Sequence, residues 1–189
     1  MIRPLETPRL LLRPLEIADA AQIQELFPQW EVVRYLSPKV PWPYPEDGAL
    51  TYCRDLAIPG MERGEEWHWT LRLKSSPQQL IGYINLLTQE PNNNRGFWIA
   101  PQCQGQGLMT EAAIAVTDFW FEDLGFPVMR VYKAAENAAS ARISEKCGMR
   151  VIDEEDRDYV SGRLRSLLCE ITAGEWRQHR QALLHPGQA

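Results

Sequence analysis

The segment Phe97-Trp98-Ile99-Ala100-Pro101-Gln102-Cys103-Gln104-Gly105-Gln106-Gly107-Leu108-Met109-Thr110-Glu111-Ala112 passes through three local patterns in succession. Gly96 to Ala100 is aromatic and apolar, which suits a strand. Gln102 to Gly107 is a polar loop with two glycines. From Leu108 onward, Ala112, Ala115, Val116, Phe119, Trp120 and Leu124 recur at helical spacing, while Glu111, Asp118, Glu122 and Asp123 take the other side. A helix entered from a glycine loop leaves its first amides without intrahelical partners at the positive end of its dipole. Glycines there let a phosphate approach the backbone, so the pattern outlines a pyrophosphate site. A plain glycine turn from strand to helix has the same spacing. Two familiar nucleotide loops fail: Thr110 occupies the third glycine of G-x-G-x-x-G, and no lysine follows Gly107 as a P-loop needs.

Upstream, Arg9 to Arg13 is a short apolar run stopped by Pro14, read as a strand, and Asp19 offers an N-cap for a helix carrying Ile23, Leu26 and Phe27. Between Trp30 and Pro59 the pattern is irregular, proline-rich and aromatic, with helical stretches at Glu31–Leu36 and Glu46–Leu56. Trp67 to Leu73 alternates strictly and predicts a half-buried strand, with Trp67, Trp69, Leu71 and Leu73 inward and His68, Thr70 and Arg72 outward. Leu80 to Leu87 is its hairpin partner, and a turn at Pro91–Asn94 leads into the glycine-loop strand. Downstream, Met129–Tyr132 reads as a strand and Asn137–Cys147 as a helix with Asn137 as N-cap and Gly148 as its stop. Strands near Arg150–Asp153 and Leu164–Ile171 flank a polar stretch, Glu154–Gly162, and a last helix runs from about Gly174 to Leu184.

At 189 residues and 44% hydrophobic, the chain suits one core and one domain spanning 1–189, with about 8–184 ordered. A formal charge of −5 offers no broad basic surface and argues against a nucleic-acid partner. Cys53, Cys103, Cys147 and Cys169 have neither metal-ligand nor disulfide-framework spacing, so neither a metal site nor a disulfide is expected. The N-terminus lacks an apolar leader and no run is long enough to span a bilayer. The reading is a cytoplasmic protein with free thiols and no membrane partner.

Gln102-x-x-Gly105-x-Gly107 matches the Q/R-x-x-G-x-G/A signature, and here the sequence resembles the GNAT superfamily of N-acetyltransferases. Trp98-Ile99-Ala100-Pro101, Thr110-Glu111-Ala112, Asn137-x-x-Ser140-x-Arg142, Glu145-Lys146-Cys147-Gly148-Met149, Glu175-Trp176 and the opening Thr7-x-Arg9-Leu10-x-Leu12-Arg13-Pro14 look like the branch containing the ribosomal-protein acetyltransferases RimJ and RimL. The resemblance implies an α+β GNAT-like fold: a mixed, mostly antiparallel sheet of about seven strands flanked by helices and splayed after its fourth strand, where acetyl-CoA sits. It also implies that backbone groups of Trp98, Ile99 and Ala100 hold the pantetheine arm. The amides of Gln104, Gly105, Gln106, Gly107, Leu108 and Met109 would hold the pyrophosphate.

By the same resemblance Asn137 contacts acetyl-CoA and Ser140 protonates the departing thiolate; the plain alternatives are an N-cap for Asn137 and a helix back-bond for Ser140. Ser144 stands where many relatives carry an acidic tyrosine, and Asn94 where many carry a basic glutamate. A water chain, His68 or Glu170 are the candidate replacements for that base, and Glu111 is read as a helix-start residue. Cys103 has no histidine near it in sequence, so transfer is expected to be direct, without an acyl-thiol intermediate. Several of Trp30, Tyr35, Trp42, Tyr44, Tyr52, Trp67 and Trp69 could wall the acceptor cleft, while core packing is the plainer reading for each one singly. The acceptor implied is an amine, either a peptide N-terminus or a small hydrophobic molecule, for a monomer or homodimer. The alternative is a non-catalytic acyl-CoA sensor on the same fold.

Overall fold

The structure is a computed structural model that describes residues 2–184; the outermost ends of the expected 1–189 domain lie outside these. Its strands are β1 (Leu5–Glu6), β2 (Leu10–Pro14), β3 (Glu66–Leu73), β4 (Ser76–Leu87), β5 (Arg95–Ile99), β6 (Val128–Ala134), β7 (Arg150–Tyr159) and β8 (Gly162–Thr172). They form two antiparallel sheets, one ordered β1-β2-β3-β4-β5 and the other β6-β8-β7. The α+β fold is as expected from the resemblance. The count differs from about seven because the two-residue β1 is too short to leave a pattern.

The helices are α1 (Ala20–Leu26), α2 (Trp30–Val33), α3 (Gly48–Tyr52), α4 (Ile58–Glu62), α5 (Leu108–Asp118), α6 (Ala138–Lys146) and α7 (Ala173–Leu184). A wide-turn segment, Cys53–Ala57, joins α3 to α4, so the expected Glu46–Leu56 helix runs on past Pro59. Pro59 is tolerated there because it sits in the first turn of α4, where a missing N–H matters least. Asp19 does not cap α1 through its side chain. Its carboxylate accepts from the Glu16 amide at 3.0 Å and from Arg72 Nη2 at 2.5 Å.

The main core lies under α5. Leu108, Ala112, Val116 and Phe119 pack on Leu12, Trp69, Leu71 and Ile84 of the larger sheet and on Met129, Val131 and Ile171 of the smaller one. One helix therefore joins two sheets that share no ladder. Trp69, Trp120 and Trp176 are fully buried, and each indole N–H is satisfied: by Arg3 O at 2.8 Å, Val128 O at 2.9 Å and Asp118 Oδ1 at 3.0 Å.

A second core on the opposite face of the larger sheet gathers Ile23, Phe27, Val33, Ala49, Cys53 and Tyr83 beneath α1 to α4. This corrects the half-buried reading of β3: His68, Thr70 and Arg72 are also buried, because the alternation separates two cores rather than core from water. The polar Glu154–Gly162 stretch carries β7 on to Tyr159 and turns at 160–161 into β8. β7 is an edge strand exposed along most of its length, and its charged side chains blunt the edge.

α7 opens with a capping box: the Glu175 amide donates to Thr172 Oγ1 at 3.3 Å while Glu175 Oε2 accepts from the Thr172 amide at 2.8 Å. The Thr172 amide and hydroxyl, with Arg150, hold the Glu175 carboxyl down from 4.5 to about 2. A depressed carboxyl stabilises above its ordinary pKa and loses that contribution as pH falls through the folded value. Glu175→Gln should therefore melt below the native chain at neutral pH, and the gap should close between about pH 4.5 and 2 in thermal scans at stepped pH.

Candidate active site

β5 and β6 meet at one end and then part. Asn94 makes the junction. Its amide donates to Arg130 O at 2.7 Å, and its Oδ1 accepts from the Arg130 amide at 2.9 Å. Its Nδ2 donates to Leu87 O at 3.1 Å and Glu90 O at 3.0 Å, standing in for the backbone amide that β4 would otherwise receive. Asn93 Oδ1 adds a bond from the Tyr132 amide at 3.2 Å. Asn94, which the resemblance sets at a glutamate position, is thus a buried clamp between the sheets, and beyond it the strands open into a notch.

Along β5 the hydrogen-bonding groups alternate between the β4 side and the open side. The Ala100 amide donates to Ile81 O at 2.9 Å, and the register Tyr83↔Trp98 continues the same parity. Ala100 and Trp98 therefore direct their backbone groups to β4. Phe97 and Ile99 direct theirs to the notch, and Ile99 O accepts from Gln104 Nε2 at 3.2 Å. This corrects the expectation for Trp98 and Ala100 and adds Phe97, which was missed because sequence spacing carries no hydrogen-bond parity.

The glycine loop begins with a tight turn, Pro101–Cys103, whose closure uses the Gln104 amide on Pro101 O at 3.1 Å. Gln104 thus has no free amide, a second correction. Gly105 (φ +74°) and Gly107 (φ +77°) are left-handed, and Gly107 is the N-cap of α5. A Cβ at Gly105 would meet nothing within 4 Å. The first helical bond runs from the Glu111 amide to Gly107 O at 3.1 Å, leaving the amides of Leu108 and Met109 without intrahelical partners. Open space in front of amides at a helix start, with positive φ where a side chain would obstruct, fits a pyrophosphate.

Glu111 braces this loop from below. It accepts from Thr7 Oγ1, from the Arg9 amide at 2.8 Å and from Arg9 Nε at 2.7 Å, and Arg9 Nη1 reaches Gln106 O at 3.0 Å. Burial alone would raise the Glu111 carboxyl, but the Thr7 and Arg9 bonds bring it below its ordinary value. The opening Thr7-x-Arg9 and the Thr110-Glu111 pair, far apart in sequence, are thus one cluster at the loop.

Asn137 caps α6, its Oδ1 accepting from the Ser140 amide at 3.1 Å, and both residues line the notch. Ser140 Oγ makes no hydrogen bond to another described residue, so the back-bonded alternative is not what is observed. Ser144 is buried and points to the opposite side of α6. Glu170 is buried with its two oxygens on Arg130 at 2.7 Å and Arg150 at 2.6 Å, and it lies off the notch. Burial pushes the Cys103 thiol up, away from a reactive thiolate.

From the notch a continuous cleft of about 1760 Å³ extends along the α1–α4 face to the β7–β8 hairpin. That is larger than the roughly 300–1,000 Å³ of a typical small-ligand pocket, and it has room for two substrates. Tyr35, Tyr44 and Tyr52 wall it. Trp67 and Trp69 do not: the β3 alternation turns them to the α5 core against Phe119. Trp30 and Trp42 pair with each other outside, 45% and 43% exposed. The hairpin closes the far rim, with the Val160 amide on Leu36 O and the Ser161 amide on Arg34 O, both at 3.1 Å.

A family model for the acetyltransferase (GNAT) domain matches residues 9–150. Solved structures with the same fold include RimJ of Mycobacterium smegmatis in complex with CoA-disulfide, at TM-score 0.79 and 20% identity over 97% of this chain and 93% of that one. RimL, a ribosomal L7/L12 α-N-protein acetyltransferase in complex with coenzyme A, superposes at 0.76 with 12% identity over 90% and 98%. FdhC, a nucleotide-linked sugar GNAT, superposes at 0.75 with 18% identity over 97% and 98%. The chain belongs to the GNAT family of acetyltransferases, which use acetyl-CoA as the acetyl donor. Proteins that share one fold yet act on acceptors this different leave the acceptor here to be argued from the cleft.

Proposed function

We propose that this acetyltransferase acts in the cytoplasm on a peptide N-terminal α-amine or a small hydrophobic amine. The observation that carries the reading is the continuity of the cleft: the glycine loop, Asn137 and Ser140, and the tyrosine wall open into one space. Acetyl-CoA supplies a thioester carbonyl as the electrophile. Phe97 and Ile99 hold its arm by the free edge of β5, and the amides of Gly105, Gln106, Gly107, Leu108 and Met109 hold its pyrophosphate at the positive end of α5. The amide nitrogen of Asn137 is left to the donor, since its oxygen caps α6. Ser140 Oγ hydrogen-bonds to negative charge developing on the leaving sulfur. The tyrosines give an apolar wall with polar tips, which suits an amine on an apolar scaffold better than a polycation. The cytoplasmic assignment is supported by four free cysteines and by the lack, among the described residues, of a helix long and apolar enough to cross a membrane.

Steady-state kinetics with free-amine peptides, Nα-blocked lysine peptides, aryl-alkyl amines and polyamines should give the highest kcat/KM for an α-amine peptide or an apolar amine. A clear preference for polyamines would contradict the reading. Ser140→Ala should lower kcat by ~10–10²-fold with acetyl-CoA affinity unchanged. Full kcat in that variant would remove Ser140 from the chemistry.

A further inference from the structure

Four side chains on the α1–α4 face of the larger sheet form one hydrogen-bonded file. Tyr52 Oη lies 3.0 Å from Tyr83 Oη, Tyr83 Oη bonds His68 Nδ1, and His68 Nε2 lies 2.6 Å from Glu66 Oε2. The β3–β4 register places Thr70 opposite Tyr83 and His68 opposite Asn85, so Tyr83 reaches diagonally to the imidazole. Tyr52 arrives from the end of α3. His68 is fully buried at 0% exposure, whereas Tyr52, Tyr83 and Glu66 border the cleft. The Tyr83 ring stacks on Trp98 of β5 with centroids 6.4 Å apart.

The file has a direction. An ionised Glu66 can only accept, so His68 Nε2 carries the proton toward it and Nδ1 is bare. Nδ1 then accepts from the Tyr83 hydroxyl, whose oxygen accepts from the Tyr52 hydroxyl. The Tyr52 oxygen is left with a lone pair at the cleft. A buried hydrogen-bonded chain that ends on an acceptor beside a substrate cleft is arranged to take a proton in.

We propose that Tyr52 and Tyr83 conduct the proton of the attacking amine to His68, and that Glu66 holds the imidazole in the tautomer that receives it. The proposal rests on the amine-acceptor reading above. In the step, an amine N–H bond breaks to the Tyr52 oxygen as the Tyr52 proton passes to the Tyr83 oxygen and the Tyr83 proton to His68 Nδ1. One proton moves, no electron is transferred, and the imidazolium ends between a phenol and a carboxylate. Tyr52 is the residue that touches the acceptor; Tyr83, His68 and Glu66 act through it. Burial pushes the Tyr52 phenol up to about 12 and the Tyr83 phenol well above its ordinary value, so both conduct as hydroxyls and not as phenolates.

The groups against His68 are Glu66 on its own strand, Tyr83 and Asn85 on β4, and Tyr52 from α3. α4 approaches Glu66 so closely that a Cβ on Gly60 would sit 2.8 Å from its carboxyl carbon, and this packing fixes the carboxylate.

Tyr52→Phe and His68→Gln should each lower kcat/KM by ~10²-fold with acetyl-CoA affinity unchanged. The double variant should be no slower than either single one, as expected for residues acting as a unit. Multiplying losses would overturn the relay. If the native chain acetylated no amine, the acceptor reading would fail instead. The relay would then be decided, as it would if His68→Gln did not fold, by 15N NMR of His68 in the native chain. A protonated Nε2 with bare Nδ1 supports it, and a protonated Nδ1 overturns it.

Discussion

Gly107→Trp is expected to bind acetyl-CoA at least ~10²-fold more weakly than the native chain while keeping its fold. The backbone at this N-cap has φ +77°, and a side chain there costs about 1–2 kcal/mol of left-handed strain. The surrounding space does not add a core clash, since a Cβ would meet only Arg9 Nη2 at 3.6 Å. Melting should drop by roughly 2–8 °C for that strain. Binding suffers far more, because the indole would occupy the approach to the amides of Gly105 through Met109. Each hydrogen bond to a charged phosphate contributes about 1.5–3 kcal/mol, so losing two of them accounts for the expected weakening. Titration calorimetry together with a melting curve separates the two effects. Unchanged affinity in a folded variant would mean that the pyrophosphate sits elsewhere.

Asn94→Glu, which puts in the residue type the family resemblance implies there, is expected to destabilise the chain by about 3–5 kcal/mol and not to raise kcat. Nδ2 donates to Leu87 O and Glu90 O, and a carboxylate in its place would turn acceptor against acceptor in a buried site. The clamp on Arg130 would loosen with it, and with it the junction at which β5 and β6 begin to part. Denaturant unfolding reads the first effect and steady-state kinetics the second. A stable variant with a higher kcat would show that the position still accommodates a base.

The glycine loop was readable because its chemistry is local: two left-handed positions and a helix start are written in adjacent residues. The Thr7, Arg9 and Glu111 cluster explains why distant motifs occur together, though only the folded chain shows the contact. Other features depended on information that spacing does not hold. Alternation in β3 sorted Trp69 from His68 correctly but could not say that a second helical layer covers the polar face. β7 is exposed on both faces, so it has no alternation by which to be told from a loop. Which β5 amides face the notch depends on parity against β4, and the Tyr52-Tyr83-His68-Glu66 file depends on cross-strand register plus the docking of α3. His68 was nameable as a candidate, but its partners were not.

On this reading the fold performs amine acetylation with acetyl-CoA held at the glycine loop. Incubating the full chain with acetyl-CoA and a panel of free-amine peptides and small apolar amines, while following CoA release and product mass together, tests it most directly. The expected result is an acetylated amine formed in equal amount to the CoA released. Tight acetyl-CoA binding with no acetylated product anywhere in the panel would contradict it and point to a protein that senses the donor without using it.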